Sequence, residues 1–188
     1  MSAFVEVPLE KCYRLTNSGP VIVVSAGDGN RVSACPVAWY HSHSDAPPQF
    51  LLTLAGSHLT SELALASGYL AIGIPTADLA DKVLYLGSVS GHEEDKLTRL
   101  GLKVVSGQSH PSVPVLTDLA AFMECAVLKV LDEDLILVEA LRAEARVGAL
   151  GEDSVWNQQA FPTLHHLGGK SFGVLNNRLD VKAAKVGQ

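Results

Sequence analysis

Apolar positions along this chain fall into short runs of two different periods, and together they predict strands with three short helices set between them. Val21 to Ala26 is dense in β-branched residues and predicts a buried strand. Gly27-Asp28-Gly29-Asn30 follows as a turn of residues that tolerate positive φ. Arg31 to Tyr40 then resumes as a strand, so the pair predicts a hairpin. Ser44-Asp45-Ala46-Pro47-Pro48 predicts a corner, and Gln49 to Ala55 a further strand. Ser57 to Ser67 has a helical period, with Leu59, Leu63 and Ala66 on one face and Gly68 as its stop. Tyr69 to Ile74 returns as a strand and ends at Pro75. Thr76 caps a second helix whose Leu79, Val83 and Leu86 form the buried stripe, with Gly87 at its end.

Beyond this point the pattern becomes more polar. Ser88 to Asp95 predicts a loop, and Asp95 to Leu100 a short helical piece that carries Lys96 and stops at Gly101. Residues 106–118, with their prolines, glycine and serines, predict a long surface excursion. Ala120 to Leu131 and Leu135 to Val147 predict two long strands around the acidic turn Asp132-Glu133-Asp134. In the second, Arg142, Glu144 and Arg146 alternate with Ala143, Ala145 and Val147, the mark of a half-exposed strand. Phe4 to Val7 predicts a short first strand, Leu164 to Gly173 a last short element broken at Gly168-Gly169, and residues 176–188 a tail, mobile or packed on a partner subunit. There is no internal repeat and no regular βαβ alternation. The expected fold is mainly β, a β-barrel with helices at its edge.

Composition narrows the picture. At 188 residues, 47% hydrophobic and only 18% charged, residues 1–188 suit a single domain with a sizeable core and little disorder. The net charge of -6, with no cluster of Lys and Arg, argues against nucleic-acid binding. No apolar run reaches membrane-spanning length, and the first residues lack a basic-then-apolar signal pattern. Cys12, Cys35 and Cys125 are odd in number and widely spaced, which fits free thiols in a reducing cytoplasm.

The stretch with most chemical promise is Gly56-Ser57-His58-Leu59-Thr60, at the predicted start of a helix. Such a start presents unpaired N–H groups and a partial positive charge, and so can hold a phosphate. Ser57 and Thr60 add hydroxyl donors; the simpler reading is that one of them caps the helix. Other patterns carry less. Gly27 to Val32 resembles the start of a dinucleotide fingerprint, but Val32 stands where its third glycine belongs and no helix follows. His41 and His43 share a strand face, yet no cysteine or carboxylate stands at a supporting spacing, and no metal site is expected. Cys35 and Cys125 lie inside apolar runs, where cysteine acts as a small hydrophobe, and the common hydrolase signatures are missing. On the residues alone, Lys96 after Glu93, Glu94 and Asp95 reads as part of a solvated charge cluster.

Six motifs taken in order give more. G-P-V-I-V-V-S, S-A-C-P-V-A-W, S-D-A-P-P, G-S-H-L-T-S-E-L, S-G-H-E-E-D-K-L and L-H-H-L-G-G-K-S-F-G run from about Tyr13 to Gly173. In order and spacing the chain resembles the flavin reductase-like proteins with an FMN-binding split barrel, most closely the flavoredoxin branch. The resemblance implies a six-stranded Greek-key barrel, a homodimer, and one FMN held non-covalently per subunit near the interface. It implies that Ser33, Ala34, Cys35, Pro36, Val37, Ala38 and Trp39 meet the flavin and its ribityl chain, with Ser42 near the ring. Ser57, His58 and Thr60 would hold the phosphate, with Leu59 beside them against the cofactor, and Ser90 to Lys96 would line the pocket, with Lys96 close to the flavin or its ribityl chain. A nearby ammonium favours a ring that gains negative charge on reduction, so Lys96 is expected to raise the flavin potential.

Three positions depart from the family pattern. Ser33 stands where Asn is usual, Pro36 replaces a common Thr and brings no N–H, and His58 stands where Arg is frequent. The turn at Asp132 to Leu135 also lacks a histidine found in some relatives. What the resemblance implies is an FMN-dependent oxidoreductase taking electrons from a reduced nicotinamide or a redox protein, with the protein positioning and tuning the flavin and no catalytic side chain of its own. The alternatives are an FMN-binding electron carrier without turnover and a cofactor-free structural dimer.

Overall fold

The computed structural model describes residues 19–175, with Pro8, Leu15 and residues 177–179. The strand expected at Phe4 to Val7, Cys12 and most of the expected tail lie outside the described residues. Seven strands form one antiparallel sheet: β1 (Ile22–Gly27), β2 (Val32–Val37), β3 (Tyr40–Asp45), β4 (Pro48–Thr53), β5 (Tyr69–Ile74), β8 (Ala121–Asp132) and β9 (Leu135–Ala145). Two short strands, β6 (Val104–Ser106) and β7 (Pro114–Leu116), pair with each other, as do β10 (Leu164–Gly168) and β11 (Ser171–Val174). Three helices are interspersed: α1 (Leu59–Ser67), α2 (Ala80–Ser88), entered through a 3₁₀ turn at Ala77–Leu79, and α3 (Lys96–Leu100).

The sheet order is β2-β1-β5-β8-β9-β4-β3. Its two outermost strands are therefore neighbours in sequence, joined only by Ala38 and Trp39. Val37 and Tyr40 are three Cα steps apart and lie within about 11 Å of each other. A sheet of seven strands can bring its edges that close only by curling, and this closes the barrel.

β1 is buried along its whole length because both its faces are covered. Ile22, Val24 and Ala26 point into the barrel with Val37, Leu52, Leu70, Ile72 and Val138, and α1 adds Leu59 and Leu63 to that core. Val21, Val23 and Ala34 face the opposite way, onto Leu79, Val83 and Leu86 of the α2 segment and Leu97 of α3. A strand buried on both faces reads as a continuous apolar run, as Val21 to Ala26 does.

Several expectations are corrected. The strand expected from Arg31 to Tyr40 is two strands, because the chain leaves β1 after Val37 and pairs with β4 from Tyr40 onward. The main sheet consequently has seven strands rather than six. The corner at Ser44 to Pro48 is the tight turn of the β3–β4 hairpin, with Asp45 opposite Pro48. α1 begins at Leu59, two residues after Ser57, and neither Ser57 nor Thr60 caps it. Residues 106–118 are no surface excursion throughout: Val113 and all of β7 are buried, and Ser25 Oγ donates to the Pro114 carbonyl at 2.6 Å. β9 ends at Ala145, and from Ala143 onward both its faces are open, with Val147 fully exposed beyond it.

Candidate functional site

A cavity of about 530 Å³ opens where four pieces of chain meet: the end of β2, the start of α1, the stretch from α2 through Gly91 to α3, and the β10–β11 hairpin. Its size is typical of small-molecule sites, roughly 300–1,000 Å³. Val21, Val83, Leu84, Leu86 and Phe172 give it apolar walls.

The start of α1 is set by contacts on both sides. Gly56 N–H donates to Asp134 Oδ1 at 2.6 Å and Leu54 N–H to the Asp134 carbonyl at 2.7 Å, so the β8–β9 turn fixes the approach to the helix. His58 is the N-cap residue, with an extended backbone, and no side chain caps the helix. The first turn thus presents its N–H groups without a capping acceptor, on the side where His58, Leu59 and Thr60 line the cavity. Thr60 Oγ1 donates to Ser33 Oγ at 3.0 Å, which ties the helix to β2. Gly91 presses on the same place. A Cβ there would lie 2.7 Å from Ser33 Oγ and 3.2 Å from Leu59 Cβ, so only glycine lets the loop pack this closely.

Lys96 is placed by its neighbour. Asp95 caps α3, accepting from Thr98 N–H at 3.1 Å and from Thr98 Oγ1 at 2.7 Å, and this puts Lys96 at the first helical position with its chain turned inward. Tyr85 Oη donates to Glu94 Oε2 at 2.8 Å and holds the preceding loop to α2. Lys96 is 6% exposed, and its Nζ donates to the Leu86 carbonyl at 2.7 Å. No carboxylate lies within ion-pair distance of it among the described residues. Burial pulls its pKa down, opposed by the nearby Cys35. Burial likewise pushes the Cys35 thiol up to about 11, against the Thr60 hydroxyl and the Lys96 charge. The solvated charge cluster suggested by Glu93 to Lys96 holds for Glu93 and Asp95, which are exposed, and fails for Lys96.

Of the residues singled out from the sequence, Ser33, Cys35, Pro36, Ala38, His58, Leu59, Thr60, Ser90 and Lys96 come together around this cavity. Ala34 and Val37 are core residues on either face of β2. Trp39 is 54% exposed, and Ser42 and Ser57 are exposed; none of the three lines the cavity. Sequence reasoning omitted the wall supplied by His166, Gly169, Lys170 and Phe172. The signal was present in L-H-H-L-G-G-K-S-F-G, but nothing local in it shows that the hairpin folds back over a helix more than 70 positions earlier. Among the described residues no His, Cys, Asp or Glu cluster could hold a metal ion.

Residues 14–165 match the model of the flavin reductase like domain, most of the chain. The chain belongs to the flavin reductase-like family. The uncharacterized protein YddH of Escherichia coli (strain K12) is 30% identical over 187 residues, 95% of this chain and 98% of its own. The FMN-binding domain of a flavin reductases-like enzyme from Shewanella baltica OS155 superposes with a TM-score of 0.80 at 25% identity, over 94% of this chain and 96% of that one. Flavoredoxin of Desulfovibrio vulgaris (Miyazaki F) shares the fold, with a TM-score of 0.79 at 19% identity over 87% of this chain and 90% of its own. The curled sheet of this flavin reductase-like chain is thus the split barrel of its family.

Proposed function

We propose that this chain binds FMN in the cavity and is an oxidoreductase, passing electrons from a reduced nicotinamide or a redox protein to an acceptor. One observation carries the reading: a buried ammonium, without a carboxylate partner among the described residues, lines the same cavity as an uncapped helix start. A buried unpaired charge is costly, and an anionic ligand relieves the cost. The donor set fits the cofactor. The first-turn N–H groups of α1, with the His58 ring, suit a phosphate. The apolar walls suit a flavin ring, and Lys96 suits the side of the ring that gains negative charge. Bound FMN supplies the electron-transfer chemistry. The protein binds and orients it, shields it from water with Val21, Leu86 and Phe172, and sets the electrostatics through Lys96. Trp39, in the β2–β3 link, and Ser42, in β3, stand outside the cavity lining and would meet a bound flavin from beyond it.

The family resemblance also implies a homodimer, and the surface supports it. Trp39, Leu128, Val130 and Leu131 are each about half exposed and sit at one end of the sheet, where β3, β4, β9 and β8 lie side by side. A cytoplasmic setting fits the reduced Cys35 and Cys125. No helix among the described residues is long and apolar enough to cross a membrane.

The deciding experiment is an absorbance titration of the purified protein with FMN, followed by anaerobic addition of reduced nicotinamide. The expected result is a perturbed flavin band that bleaches with the nicotinamide. A bound band that stays oxidised assigns the protein to carriers fed by a protein donor. An FMN spectrum identical with and without protein removes the proposal.

A further inference from the structure

The cavity lining carries basic side chains on two separate sides. Among its described lining residues are His58, Lys96, His166 and Lys170, and none of these described residues is Asp or Glu, in a chain whose net charge is -6. These basic groups stand on separate pieces of structure. His58 and Lys96 belong to the β2–α1–α3 side, where the phosphate and ring contacts are proposed. His166 and Lys170 belong to the β10–β11 hairpin, which is no part of the main sheet.

The hairpin is fixed at its base and open at its tip. Val21 N–H donates to the Leu164 carbonyl at 2.7 Å, Pro20 bridges His165, Thr76 bridges Thr163, and Leu164 is in the core. Phe172 packs on that same core and tilts against the His166 ring, centroids 5.6 Å apart. His166 Nε2 lies 3.2 Å from the Gly169 carbonyl; a carbonyl only accepts, so this nitrogen carries the proton and folds the tip back on its own strand. Gly168 and Gly169 have φ of 119° and 58°, conformations that L side chains rarely adopt, and they turn the chain so that Lys170 comes to the cavity rim. Lys170 is exposed there, with no ion-pair partner among the described residues.

We infer that Lys170 is a binding residue for the second ligand of this site: it receives a phosphate or carboxylate of the small molecule that exchanges electrons with the bound cofactor. The inference rests on the FMN reading. An anion entering the mouth meets Lys170 on the hairpin, while the inner donors remain with FMN. The basic side chains of the lining add attraction within the cavity. A rim ammonium of this kind acts on ligand affinity and on its salt dependence, and leaves the affinity of the inner cofactor alone.

The test uses the full chain loaded with FMN, as wild type, Lys170→Ala, Lys170→Glu and Lys170→Arg. NADP⁺ serves as the phosphate probe and benzoate as the carboxylate probe, each titrated by calorimetry at two salt concentrations. FMN affinity is measured separately by fluorescence quenching. The expected result is a Kd for at least one probe that rises roughly tenfold in Lys170→Ala, rises further in Lys170→Glu and recovers in Lys170→Arg. The FMN Kd should be the same in all four proteins. The probe that responds identifies the anionic group. Unchanged probe affinities, wild-type protein that binds neither probe, or an FMN Kd that moves with Lys170 would each overturn the assignment. Failure of the wild type to bind FMN at all is a different result, and overturns the cofactor reading itself.

Discussion

Lys96 shows how one side chain can be costly to the fold and useful to the site. Its ammonium is buried with a single carbonyl acceptor, so the cofactor-free protein carries an incompletely compensated charge. Lys96→Met should therefore have opposite effects on the two states. Thermal unfolding of FMN-free protein should show an unchanged or higher Tm, while FMN binding weakens and the two-electron potential of the bound flavin falls by roughly 30–60 mV, the effect of one nearby charge. A potential that does not move would remove Lys96 from the flavin's surroundings. The sequence could not place this residue by its own pattern, since the preceding Glu93, Glu94 and Asp95 are those of any solvated helix start. What distinguishes it is the Asp95 cap, a contact between side chain and backbone that turns the next residue inward.

At the scale of elements, what the sequence made legible depended on how much of each signal was local. β1, β5, β8 and β9 announced themselves through long β-branched and apolar runs, and Gly68 and Gly101 end α1 and α3 in the left-handed conformation as their positions suggested. The β2–β3 division was hidden because both halves are extended; only the change of partner, from β1 to β4, separates them. β7 was hidden by Pro114 and by its three-residue length, although it is fully buried. The loop before it is held by Glu124, 1% exposed, which accepts from Gln108 N–H at 3.0 Å and Ser109 N–H at 2.7 Å, as well as from Ser109 Oγ. Burial acts to raise the Glu124 carboxyl, but the Ser109 hydroxyl, the two N–H groups and Arg142 together hold it below the ordinary glutamate value. A depressed folded-state pKa contributes stability above the unfolded value of about 4.3 and loses it as pH falls through the folded one. Urea unfolding should accordingly show Glu124→Gln destabilised by about 1–3 kcal/mol at neutral pH, with the difference from wild type shrinking in acid. A difference that stays constant down to pH 3 would mean that the carboxylate charge is not what holds the loop.

At the scale of the whole molecule, charge and apolar surface are divided. No Asp or Glu stands among the described residues lining the cavity, while half-exposed Trp39, Leu128, Val130 and Leu131 gather at the end of the sheet. If this end is the subunit contact, Leu128→Asp together with Val130→Asp should convert the dimer to a monomer in light scattering, with the secondary structure seen by circular dichroism retained. A wild-type protein that is monomeric at tens of micromolar would refute the contact outright. The barrel class was legible in the sequence, because the predominance of strands and the lack of βαβ alternation are properties of the whole pattern. How the sheet closes was not, since closure is a relation between its first and last strands.

That closure has a thermodynamic consequence. The same uninterrupted segment carries Ser33, Cys35, Pro36 and Ala38 at the cavity and then, at the next residue, Trp39 at the exposed apolar end. With two residues between β2 and β3, there is no slack to absorb a shift on one side before it reaches the other. Whatever free energy cofactor binding and subunit association share through this strap is reciprocal: a ligand that tightens association must itself be bound more tightly by the associated form, by the same factor.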